Sequence, residues 1–86
     1  MIKIPFPEWR EIMNRRVEIC NFLHANVAPA MPNYVYLNGN QMRSGYTTDD
    51  LFGGWEVIDS ESERAFLVTV LPEEIETFLA LKYGVK

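Results

Sequence analysis

The chain has 86 residues, 48% of them apolar and 13% aromatic, which is enough for one hydrophobic core and excludes a disordered chain. Its formal net charge is −4, with +2 on residues 1–45 and −6 on residues 46–86, so the acidic half repels polyanions and attracts basic partners. The single cysteine, Cys20, and single histidine, His24, exclude an internal disulfide and the usual Cys/His zinc sites.

Residues 1–4 alternate, Ile2 and Ile4 against Lys3, and predict a short strand that Pro5 and Pro7 end. Pro7 suits a first helical position, and Glu8 and Glu11 favour the positive end of a helix dipole. The helix predicted from here to about Ala25 has a broad apolar stripe: Trp9, Ile12, Met13, Val17, Ile19, Cys20 and Leu23. Arg16 falls inside the stripe, where it must snorkel or meet a carboxylate; Phe22 falls outside it and points to a second contact surface.

Residues 26–33 read as a connector held extended by Pro29 and Pro32. Tyr34–Leu37 and Asn40–Arg43 flank Asn38-Gly39, the strongest local hairpin signal, since a type I′ turn needs positive φ at both central residues. That turn would set Tyr36 opposite Gln41 and Tyr34 opposite Arg43. Residues 44–54 form a loop bracketed by glycines, in which Thr47 and Asp50 have capping-box spacing before Leu51 and Phe52.

Trp55–Asp59 and Arg64–Leu71 predict a second hairpin joined by the polar residues 60–63. The later strand is apolar at nearly every position, which predicts a central strand covered on both faces. A final helix starts at Pro72, carries Glu73 and Glu74 in its first turn, has an apolar stripe of Ile75, Phe78, Leu79 and Tyr83, and stops at Gly84. The expectation is one α+β domain over residues 1–86. It has an antiparallel sheet of two β-hairpins, three to five strands in all, with an N-terminal and a C-terminal amphipathic helix packed on it.

Few residues carry chemistry. Cys20 and His24 are four apart, but Cys20 sits in the apolar stripe, where a thiol acts as a small hydrophobe. Asp49-Asp50 lacks the alternating ligand spacing of a calcium loop, and Gly53-Gly54 lacks phosphate-loop spacing. No metal, cofactor or catalytic residue is expected. Tyr34, Tyr36 and Arg43 on one hairpin face offer an alternative, stacking on single-stranded nucleic acid, against which the net charge argues. Tyr46, Leu51, Phe52 and Trp55, beside Asp49 and Asp50, resemble interface anchors, and Glu61 and Glu63 add acidic steering.

These features predict a non-enzymatic protein-binding module, of the inhibitor or adaptor kind found among small accessory and mobile-element proteins. Its partner would be another protein with a basic surface. Self-assembly into a homo-oligomer through the sheet is the alternative. A small hydrolase using Asp49, Asp50 or Asp59 is a third reading, and no feature fixes the separation of those carboxylates. No bilayer-length apolar run and no apolar leader segment occur, so a cytoplasmic location is expected.

Overall fold

In a computed structural model of the chain, the structure describes residues 1–29, 35–38, 41–46, 54–70 and 72–84, with 35–38 and 41–46 described as backbone. Strand β1 is Ile2–Pro5; after a 3-10 turn at Trp9–Glu11, helix α1 runs Ile12–Asn26. Strands β2 (Val35–Asn38), β3 (Gln41–Tyr46), β4 (Trp55–Ser60) and β5 (Ala65–Val70) follow, and helix α2 is Glu73–Tyr83. The expected α+β class, antiparallel sheet and paired terminal helices are present.

The five strands form one antiparallel sheet in the order β1-β5-β4-β3-β2. The second hairpin pairs Ser60 with Ala65 across Glu61–Arg64. Arg64 adopts φ +52°, and its amide donates to the Glu61 carbonyl. The first hairpin departs from the expected register. Asn38 pairs with Gln41 and Tyr36 with Arg43, so Asn38 belongs to the strand rather than to the turn, and the pairing is shifted by one residue from Tyr36 opposite Gln41. Asn-Gly and Gly-Asn both occur in Asn38-Gly39-Asn40, and a Gly-first pair also suits a two-residue hairpin loop.

As expected, β5 is an interior strand, flanked by β4 and by β1, which closes the edge; β4 is the middle strand of the five. Ile4, Trp55, Val57, Phe66, Val68 and Val70 turn one face toward the helices, where Ile19, Leu23 and Leu79 meet them in a single core. On the other face Glu56, Ile58, Ser60 and Ala65 are buried and Leu67 and Thr69 half-buried, so β4 and β5 are covered on both sides.

Both helices rest on the core face. Their mutual contact is specific: Phe22 stacks on Phe78 with ring centroids 5.1 Å apart, and the Tyr83 hydroxyl donates to Glu18. Phe22, the residue outside the predicted stripe, thus finds its second surface on α2. Burial and the Glu18 carboxylate together push the Tyr83 phenol well above its ordinary range. Gly84 ends α2 in the left-handed region at φ +69°, as its place after the last apolar residue predicts.

Candidate functional site

Helix α1 buries only part of the apolar stripe its sequence suggests, with Ile12, Ile19, Cys20 and Leu23 inward. Ile12, Arg16, Ile19 and Leu23, spaced 4, 3 and 4, face the sheet. Trp9, Met13 and Val17 turn outward and are 77%, 54% and 46% exposed. The apolar stripe is too wide for β4 to cover, and the sheet takes the half that has Arg16 at its centre. A counter-charge fixes that choice. Arg16 Nε lies 3.4 Å from Asp59 Oδ2 on β4, and Arg16 Nη2 lies 2.8 Å from the Met13 sulfur.

The carboxylate of this pair is only partly compensated. The 3.4 Å separation exceeds good hydrogen-bond geometry, and Asp59 Oδ1 has no hydrogen-bond partner among the described residues. Burial therefore outweighs the attraction of Arg16, and the Asp59 carboxyl titrates above the ordinary carboxylate range. Cys20, one turn beyond Arg16, is half-buried and feels both charges. Burial pushes its thiol up to about 11; Arg16 pulls it down and Asp59 raises it again.

A thiol in this state holds its proton at neutral pH and is a poor nucleophile. Iodoacetamide at pH 8 should modify Cys20 about a hundredfold more slowly than a free cysteine, from the thiolate fraction alone. Mass spectrometry over a time course checks this, and labelling at the free-thiol rate would show Cys20 to be accessible and ionised. His24 is exposed on α1.

Of the expected partner-binding residues, Trp55, Glu61 and Glu63 are described in full and Tyr46 in its backbone. Trp55 is fully buried, and its indole N–H donates to the Ala28 carbonyl at 2.7 Å. It is a core residue and not a surface anchor, because its β4 position, opposite Val70, faces the helices. Tyr46 is its register partner on β3. Asp49, Asp50, Leu51 and Phe52 lie outside the described residues. Glu61 and Glu63 are exposed in the β4–β5 turn, and Glu63 accepts from Lys3 Nζ at 3.2 Å. Glu61 and Arg64 border a shallow depression of about 270 Å³ with Phe6 and Ile12.

Of the alternative nucleic-acid face, Tyr36 and Arg43 are register partners, and Tyr34 lies outside the described residues. Asp59 belongs to the Arg16 pair. Among the described residues no three His, Cys, Asp or Glu side chains gather as metal ligands, and no helix is long and apolar enough to cross a membrane. The exposed row of α1 was not expected. Its signal was Arg16 itself: a charge inside an apolar stripe that meets a carboxylate draws the buried face toward itself and rotates the residues beyond it outward.

No protein-family model matches the chain, and no curated protein or solved structure shows significant similarity to it.

Proposed function

We propose that the protein is a non-enzymatic binding module for another protein, with Trp9 of the 3-10 turn and Met13 and Val17 of α1 as its contact surface. The observation that carries this reading is Trp9. It is 77% exposed, with the Arg10 guanidinium 5.4 Å over its ring, at the head of a row of three outward apolar side chains. Tryptophan and arginine dominate the energetics of protein interfaces, and apolar side chains grouped on one helix face mark binding surfaces more than folding needs. The protonated state of Cys20 supports a binding role over thiol chemistry. The glycine-bracketed loop with Asp49, Asp50, Leu51 and Phe52 stays in this reading as a second contact, and Glu61 and Glu63 as acidic steering.

Capture from a lysate of the source organism tests it. Immobilised wild type is compared with a Trp9→Ser/Val17→Asn variant of unchanged circular dichroism. A protein held by wild type and lost from the variant is the expected result. The same proteins held equally by both would remove α1 as the contact surface.

A further inference from the structure

Where the β4–β5 turn meets the chain leaving β1, Phe6, Ile12, Glu61 and Arg64 line the depression of about 270 Å³. Its floor is apolar and held in place by its surroundings. The Phe6 amide donates to the Arg64 carbonyl at 3.0 Å, and the Phe6 ring meets the core residue Phe66 edge-on, with centroids 4.9 Å apart. Ile12, the first residue of α1, is half-buried against the same core.

The rim carries one charge of each sign. Glu61 and Arg64 are exposed, and among the described residues neither side chain makes an ion pair or a hydrogen bond, with the other or with a third group. The other arginines and lysines with described side chains are engaged. Lys3 pairs with Glu63 and Arg16 with Asp59, while Arg10, Arg15 and Lys82 lie over aromatic rings. Of the nearby acids, Glu63 is held by Lys3, Glu11 accepts from Asn14, and Glu8 is exposed outside the lining. Arg64 also sits at φ +52°, a left-handed conformation that glycine or asparagine adopts more easily. A long cationic side chain thus stands where the backbone favours a short one, and such outliers gather at ligand contacts.

These charges restrict what the depression accepts. A plain anion would meet Arg64 but sit beside Glu61, and a plain cation would meet Glu61 but sit beside Arg64. An ammonium and a carboxylate on one apolar body satisfy both and leave the body for Phe6 and Ile12. We propose that the depression binds a small apolar zwitterion, an α-amino acid with a large aliphatic or aromatic side chain. Glu61 takes the ammonium, Arg64 the carboxylate, and Phe6 and Ile12 the side chain. The site shares no residue with the Trp9, Met13 and Val17 surface, so either can fail without the other.

Titration of the isotope-labelled chain with L-phenylalanine, followed by its amide chemical shifts, tests this. So small and open a contact implies a Kd on the order of 1 mM, so the titration runs to about 20 mM. Shifts should centre on Phe6, Ile12 and the amides from Glu61 to Arg64. Phenylalaninamide lacks the carboxylate and resembles a peptide N-terminus; N-acetylphenylalanine lacks the ammonium and resembles a peptide C-terminus. Each should bind about tenfold more weakly than phenylalanine, having lost one charge-assisted contact. Glu61→Gln should abolish the preference for phenylalanine over N-acetylphenylalanine. Arg64→Asn, which suits the left-handed backbone, should abolish the preference over phenylalaninamide, and the spectrum of each variant shows that it is folded.

An absence of shifts at these residues across the titration would overturn the proposal. So would an analogue with one charge binding as tightly as phenylalanine, which would make this a site for a peptide end. The same preferences in wild type and both variants would also overturn it, by reducing the contact to an apolar one.

Discussion

Replacing Arg16 by methionine alone should cost about 3–5 kcal/mol at neutral pH, because it strands a buried carboxylate. The double variant Arg16→Met/Asp59→Leu should recover that loss and reach or exceed wild-type stability by about 1–4 kcal/mol. The reason lies in the geometry: the guanidinium and carboxylate are both desolvated yet stand 3.4 Å apart, and Asp59 Oδ1 has no described partner. Two fitted apolar side chains would fill the same space without the desolvation cost. Urea titrations of wild type, both single variants and the double variant close the cycle. A double variant as unstable as the worse single one would mean that the pair organises its surroundings beyond its own two charges.

The pH dependence of this cycle has a definite sign. Folded Asp59 holds its proton more tightly than it does in the unfolded chain, since its carboxyl titrates above the ordinary range. Between the ordinary and the raised value the native state binds more protons, so the contribution of this group to stability falls as pH rises through that window. Without Arg16 the carboxyl is pushed higher still and can neutralise itself in acid. The Arg16→Met penalty should therefore be smaller at pH 4 than at pH 7. A penalty that grows on acidification would contradict burial as the dominant influence on Asp59.

Trp55→Ala should cost about 3–5 kcal/mol, and Trp55→Phe about 2 kcal/mol. The alanine variant opens a cavity in the core, where β4 begins opposite Val70. The phenylalanine variant keeps most of the volume and deletes only the 2.7 Å bond to Ala28, which ties the chain leaving α1 to β4. Chemical denaturation followed by the remaining tryptophan, Trp9, checks both. Were Trp55 a surface anchor, Trp55→Phe would leave stability unchanged, which is the result that would overturn its place in the core.

The sequence reveals α2 and the second hairpin nearly residue by residue, because local rules decide them. Pro72 leads into the acidic first turn, Gly84 takes positive φ, and polar residues separate two apolar runs. Helix α1 is legible as a helix but not in its orientation. A stripe from Trp9 to Leu23 wider than its support permits several seatings, and the one adopted depends on Asp59, forty-odd residues away in sequence. The same limit applies at Asn38-Gly39-Asn40, where two overlapping dipeptides both suit a tight turn and the rest of the sheet selects the register. Trp55 shows it a third time. Beside Gly54 and aromatic neighbours it reads as a loop anchor, and only its pairing with Val70 turns it inward. The candidate surface was less legible than the fold, since it consists of the apolar residues the core did not use.

The edge position of β1 sets the order in which the protein can be completed during synthesis. Ile2 pairs with Val68 and Pro5 with Ala65, so β1 is synthesised well before its only neighbour in the sheet and waits for it. The β4–β5 hairpin and α1 can form from nearby residues, whereas the β1 edge closes only after a long loop has been drawn in, at an entropic cost that slows the step. Until then β5 exposes an unpaired edge rich in valine and phenylalanine, the kind of segment that chaperones hold and that other nascent chains can invade.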